Sequence, residues 1–190
     1  STSAAASAGA AGRVAHRNGE PVRVWSAGTS TGEEAYTLAI LLEESGIPRY
    51  EIVGSDLSPT SLETARAGRY SPRSFRGEID ARFRKKWFIY ELGGVHVQPD
   101  LKRHIRFELV NLVDEAAVNA LPTFDVILCR NVLIYMSPPA RSRVIDMFWR
   151  KLRPDGLLLL GHSESLLHVD TPFRLKPLQR ALAYEKPASP

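Results

Sequence analysis

Short apolar runs alternate with helix-like segments along most of this chain, a rhythm that few architectures accept. Val22 to Ala27 reads as a buried strand, and Glu33 to Ser45 as a helix stopped by Gly46 and Pro48. Glu51 to Ser55 is a second strand. Ser58, with Pro59 in the first turn and Glu63 following, opens a helix that Gly68 ends. Ile105 to Val110 is a third strand, Phe124 to Cys129 a strongly apolar fourth, and Pro138 to Leu152 a helix. The turn Arg153-Pro154-Asp155-Gly156 leads into a fifth strand, Leu157 to Leu160, and Phe173 to Leu175 pairs with Ala181 to Glu185 as a terminal hairpin. This order predicts an α/β fold: a mostly parallel sheet covered by helices on both faces, made mixed by the hairpin. Tyr70 to His104 breaks the rhythm, and Trp87-Phe88-Ile89-Tyr90 with Val95-His96-Val97 predicts a small antiparallel insertion.

The 190 residues suit one domain. Residues 1–20, low in complexity, are expected to be a linker or cloning remnant, and residues 21–190 the folded domain. No apolar run approaches the roughly 20 residues needed to span a bilayer, and no secretory pattern opens the chain. Membrane insertion is therefore not expected. The single cysteine, Cys129, rules out an internal disulfide framework and a cysteine-rich metal site, so a reducing cytoplasm fits best. The histidines show no metal-ligand pattern, and no metal is expected. Net charge is +4, and between Arg66 and Lys86 eight Arg or Lys face only Glu78 and Asp80. Such a block either steers an acidic partner or is a solvated helix face. No nucleic-acid motif accompanies it, so nucleic acid is not expected as a partner.

In open α/β sheets, ligands bind beyond the C-terminal ends of the strands. Unusual polar residues stand at those ends here. After the first strand, Ala27-Gly28-Thr29-Ser30-Thr31-Gly32 runs into Glu33 and Glu34. Small residues let the backbone approach a ligand, although the two acids also suit a helix start. Asp56 ends the second strand, where an acid accepts hydrogen bonds from ribose hydroxyls or caps the next helix. Asn111-Leu112 ends the third strand, as an adenine contact or a plain turn. Arg130-Asn131 and Tyr135 follow the fourth, and Cys129 reads as core packing. After the fifth comes Gly161-His162-Ser163-Glu164-Ser165, too local for a hydrolase triad.

In this order, "VWSAGTSTGEEAYTLAI", "GSDLSPTSLETARAGRY", "FELVNL", "FDVILCRNVLIYM" and "LRPDGLLLLGHSES" resemble the CheR family of chemotaxis receptor methyltransferases, from about Val22 to Glu185. The resemblance implies a class I Rossmann-like domain that binds S-adenosyl-L-methionine and methylates glutamate side chains on the cytoplasmic helical region of bacterial chemotaxis-type receptors. The products are glutamate methyl esters and S-adenosyl-L-homocysteine. It also implies residue roles. Ala27, Gly28 and Thr29 lie along the cofactor, and Glu33 or Glu34 sits near its amino-acid end. Asp56 holds the ribose, with Leu57 beside it. Asn111 and Leu112 flank the adenine, and Arg130 and Asn131 line the methionine side. Tyr135 faces the methyl group and the incoming carboxylate, so Tyr135 and Arg130 are the catalytic candidates.

Such a reaction asks little acid–base chemistry, because a glutamate is already ionised at neutral pH. The family's helical N-terminal domain contributes an arginine-containing motif, and only the low-complexity stretch precedes Val22 here. The expectation is weak or no turnover by this chain alone, with other domains of a larger parent protein as possible partners. The insertion, about 83–107, is short and resembles that of members without a tethered receptor peptide. A cofactor-binding sensor or scaffold, and a methyltransferase for another substrate, stay open as alternative readings. Asp56→Ala is expected to weaken binding of S-adenosyl-L-homocysteine by about 1.5–3 kcal/mol, the range for hydrogen bonds to a charged group, as read by calorimetric titration. Unchanged affinity would remove Asp56 from the ribose role.

Overall fold

The computed structural model describes residues 19–72, 81–167, 169–178 and 181–188. In chain order they form β1 (Val22–Ala27), α1 (Glu33–Glu44), β2 (Tyr50–Asp56), α2 (Pro59–Ala67), β3 (Arg69–Tyr70), α3 (Ala81–Trp87), β4 (Phe88–Glu91) and β5 (Gly94–Val97). There follow α4 (Pro99–Lys102), β6 (Ile105–Leu109), α5 (Glu115–Ala120), β7 (Phe124–Cys129), a 3-10 turn (Leu133–Tyr135), α6 (Pro138–Lys151), β8 (Leu152–Leu160), β9 (Arg174–Leu178) and β10 (Ala181–Glu185). Most of the expected 1–20 linker, and Arg73, Arg76, Glu78 and Asp80 of the basic stretch, lie outside the described residues.

The main sheet has seven strands in the order β6-β2-β1-β7-β8-β10-β9. The pairings from β6 through β8 are parallel, and β10 and β9 close the sheet antiparallel, as the alternation predicted. Both faces are covered. Along β7, Val126 and Leu128 join the buried cluster that includes Leu38 and Leu42 of α1, while Ile127 and Cys129 join the one that includes Ile145 and Phe148 of α6. That two-sided burial is why the strand reads as a nearly continuous apolar run. Trp25 anchors the second layer: it stacks on Phe124 at 5.2 Å, meets Phe148 edge-on at 5.3 Å, and donates its indole N–H to Ser55 Oγ at 2.8 Å.

Local signals work as expected around α2. Ser58 Oγ accepts the Ser61 N–H, Pro59 occupies the first turn, and Gly68 closes the helix at φ 57°. Elsewhere the structure departs from the sequence reading. The 153–156 turn lies within β8, where Asp155 at φ 61° marks an irregularity rather than an end, and Asp155 and Gly156 exchange main-chain hydrogen bonds with Lys186. The first hairpin strand is Arg174–Leu178, and Pro177 is tolerated because β9 is an edge. The insertion is a three-stranded sheet, β3-β5-β4, and Ile105 to Phe107 belong to the main sheet instead, paired with β2. Helices α3, α4 and α5 had no expected counterpart. Asp114, whose carboxylate accepts the Ala116 and Ala117 N–H groups, is the cap signal for α5. Among the described residues no helix is long and apolar enough to cross a membrane.

Phe148→Ala removes a fully buried ring from the Trp25 layer. It is expected to cost about 3–5 kcal/mol of stability in chemical denaturation. A loss under about 1 kcal/mol would mean that this layer does not hold the helix to the sheet.

Candidate active site

The chain passes from β1 outward to β2 and β6, then returns to place β7 and β8 on the other side of β1. The crevice between the C-terminal ends of β1 and β7 is therefore the topological switch point. Ala27 ends β1 fully buried. The next two N–H groups, of Gly28 and Thr29, both donate to Ser55 O at 2.8 Å, which bends the loop across the end of β2. Gly28 sits at φ 79°, and a Cβ there would stand 2.4 Å from Val132 Cγ2. No other residue permits that close approach. Ser30 follows at φ 51°, a left-handed conformation that costs a non-glycine residue about 1–2 kcal/mol.

Asp56 pins this turn. Its Oδ2 accepts the Ser30 N–H at 2.8 Å and its Oδ1 accepts the Ser58 N–H at 3.0 Å. The carboxylate thus serves both the loop and the start of α2, while Ser58 caps the helix itself. An ionised carboxylate has about four acceptor directions, so each oxygen retains one for a ligand hydroxyl. Leu57 beside it is exposed.

On α1 the two acids separate. Glu33 is exposed and takes a hydrogen bond from Thr31 Oγ1 at 2.6 Å. Glu34 turns into the crevice, where Ser26 Oγ donates to Oε1 at 2.8 Å and Arg130 Nη1 to Oε2 at 3.3 Å. The Glu34–Arg130 pair is only about a quarter exposed on the arginine side and a fifth on the glutamate side (26% and 20%), which shields it from solvent screening. Asn131, next to Arg130, is exposed and held at φ 59°. Tyr135, at the end of the 3-10 turn, is 83% exposed, and Ile134 beside it is also exposed.

The remaining sequence candidates lie at the end of β6. Asn111 is exposed, and its Oδ1 accepts the Val113 N–H at 3.2 Å. Leu112 is 7% exposed and belongs to the buried cluster with Val53, Val110 and Val118, so the exposed apolar groups near these strand ends are Leu57, Leu109 and Val113. Cys129 is core, and burial pushes its thiol well up, leaving it protonated and inert. Sequence reasoning treated Glu164 only as one of three polar neighbours in a loop. In the structure its carboxylate accepts N–H groups from Asn131, Val132, Leu133 and Gly161. No periodicity marks such a residue; its position four residues past the end of β8 is the sole hint. Tyr70 of the small sheet donates its hydroxyl to Thr31 O at 2.7 Å, which ties the insertion to the β1–α1 loop.

Among the described residues, two buried polar atoms near this crevice have no hydrogen-bond partner, Thr29 Oγ1 and Arg130 Nε. Buried polar groups are ordinarily satisfied. Orphans on both sides of the switch point, beside a glycine-bent loop and a pinned carboxylate, fit a polar nucleoside-type ligand.

The CheR methyltransferase, SAM binding domain, matches residues 7–182. The chain belongs to the CheR family. S-adenosyl-L-methionine is accordingly the cofactor of this CheR domain. Chemotaxis protein methyltransferase 2 of Vibrio cholerae is 35% identical over 179 residues, covering 92% of this chain and 62% of that protein. Chemotaxis protein methyltransferase 2 of Pseudomonas aeruginosa is 37% identical over 156 residues, covering 78% of this chain and 55% of that protein. The CheR domain here thus spans between about half and two thirds of the length of these relatives. In fold it is similar to an O-methyltransferase family protein from Burkholderia thailandensis, with TM-score 0.55 at 14% identity over 94% of this chain and 56% of that one.

Gly28→Ala adds a methyl group that meets Val132 and strains a positive φ. The expected result is at least about a tenfold rise in the Kd for S-adenosyl-L-homocysteine, measured by calorimetry, while the fold is retained by circular dichroism. An unaltered Kd would show that the β1–α1 loop does not line the cofactor.

Proposed function

We propose that this domain transfers the methyl group of S-adenosyl-L-methionine to glutamate side chains on the cytoplasmic helices of a chemotaxis-type receptor. When bound, the cofactor supplies an electrophilic methyl group on a sulfonium. The chain's own residues hold it and present the acceptor. The β1–α1 loop from Ala27 to Thr29 runs along the cofactor, with the orphan Thr29 Oγ1 beneath it. Asp56 takes the ribose hydroxyls on its remaining acceptor directions, with Leu57, Asn111 and the main chain at Leu112 around the adenine. Glu34, paired with Arg130, and Asn131 hold the amino-acid end, and Glu33 contributes from the surface side of the helix.

The acceptor glutamate is ionised at neutral pH, so it attacks without a base. Carboxylate and sulfonium charges vanish together in the product. A site that bound the carboxylate tightly through a cation would hold back the transition state. Tyr135 suits this need: a neutral hydroxyl orients one carboxylate oxygen while the other attacks in line. The observation that carries the proposal is the exposure of Tyr135 (83%) at the rim, a few residues from the half-buried Arg130. An orienting group on an open rim favours a side chain standing out from a protein surface over a small molecule enclosed in a pocket. The relatives are named chemotaxis protein methyltransferases, which favours an acceptor that works in chemotaxis.

Transfer of labelled methyl from S-adenosyl-L-methionine to a receptor cytoplasmic fragment tests this reading. The expected label is base-labile, as a glutamyl ester must be. Base-stable label, or label on small molecules alone, would overturn the acceptor assignment. Tyr135→Phe in the same assay is expected to lower turnover by about 10–100-fold with the Kd for S-adenosyl-L-homocysteine within about twofold. Full turnover by that variant would remove the hydroxyl from the orienting role.

A further inference from the structure

Glu164 stands in the loop after β8, in the segment Gly161-His162-Ser163-Glu164-Ser165. Its Oε2 accepts the N–H of Gly161 and of Asn131, each at 2.8 Å. Its Oε1 accepts the N–H of Val132 and of Leu133, each at 2.9 Å. Three successive main-chain N–H groups of the β7 loop therefore converge on one side chain from another loop. Such convergence needs the left-handed turn at Asn131 (φ 59°), which folds the N–H vectors into a concave anion-binding nest. Among the described residues no lysine or arginine ion pair to this carboxylate is present, so main-chain donors are its recorded partners. Space is also shaped for it: a Cβ on Gly161 would lie 2.7 Å from Glu164 Oε2 and 3.1 Å from the Asn131 nitrogen.

We propose that Glu164 is a positioning residue for the amino-acid end of the cofactor: its carboxylate, bound by the N–H groups of Asn131, Val132, Leu133 and Gly161, holds Arg130 and Asn131 in place at the crevice. The inference rests on the reading that Arg130 and Asn131 line that end. Asn131 is one of the four donors, and Arg130 immediately precedes it, with its guanidinium on Glu34. Without an acceptor, three N–H groups would point at one another and the left-handed turn would relax. Arg130 would then lose its fixed approach to Glu34. Asp56 of β2, on the proposed ribose side, accepts instead from Ser30 and Ser58, which lie outside this loop.

Glu164→Gln tests the inference, because glutamine keeps the shape but turns one acceptor into a donor facing N–H groups. Wild type and variant are titrated with S-adenosyl-L-homocysteine and, by NMR at millimolar concentration, with adenosine, which lacks the amino-acid end. The Kd for S-adenosyl-L-homocysteine is expected to rise about tenfold while that for adenosine stays within about twofold. Amide exchange at residues 131–133 and 161 should quicken together, and that of β1 should not. Equal weakening of both ligands, or no change in either, overturns the positioning role. Wild type that binds neither ligand overturns the reading of the crevice itself, and this inference with it. Gly161→Ala, which crowds the carboxylate without removing it, should give the same ligand selectivity if Glu164→Gln fails to fold. Unchanged binding by a folded Gly161→Ala, with the four amides exchanging independently in wild type, overturns the inference by that route.

Discussion

β1 is laddered in parallel on both sides, to β2 from Val22–Tyr50 to Ala27–Ser55 and to β7 from Val24–Val126 to Ala27–Cys129. Both registers end level with Ala27. The loops after β1, β2 and β7 therefore leave the sheet at one height, about 4.8 Å apart from strand to strand. Most polar groups at the candidate site reach it from one of those exits or from the first turn of α1, with Asn111 coming from the end of β6 and Glu164 from the loop after β8. A slip of one residue in either ladder would exchange the two faces of a strand. It would turn Val24 or Val126 out of its buried cluster, so the apolar pattern that builds the core also sets the level of the loops.

Loops at the ends of parallel strands leave main-chain N–H groups without ladder partners, and carboxylates answer that need here. Asp56 takes one N–H from the β1 loop and one from its own, and Glu164 takes three from the β7 loop and one from its own. At the opposite end of the sheet, buried Asp125 accepts the Arg23 N–H at 2.8 Å and lies 3.4 Å from Arg153. In each case an acidic side chain on one strand or loop fixes the main chain of another. Hydrogen bonds to charged acceptors are stronger than neutral ones, which lets left-handed Ser30 and Asn131 persist without glycine.

Much of this was legible along the chain. The sheet strands and the helices around Glu33, Ser58 and Pro138 carried local signals: apolar runs, a serine cap, a proline in the first turn, a glycine stop. The polar residues at strand ends could be found because a buried strand cannot hold them. What failed to show locally was whatever depended on a partner distant in sequence. Leu112 looked available beside Asn111, yet it packs into the core with Val53 and Val118. Glu33 and Glu34 were indistinguishable by spacing, and only the packing of α1 on the sheet turned Glu34 toward Arg130. The short helices of the insertion lack the length for a periodic signal, and Pro177 hid the extent of β9 until its edge position was known.

By itself, then, the sequence determined which segments are buried on two faces, where strands must stop, and which polar residues those stops expose, since these follow from local apolar pattern and turn chemistry. The motifs also carried the family. Tertiary structure alone decided which of those residues meet. The pairing of Arg130 with Glu34 spans 96 residues of chain, and the gathering of three N–H groups on Glu164 spans more than 30. Such contacts come from strand order and register, and no local stretch of sequence contains the neighbour that completes them.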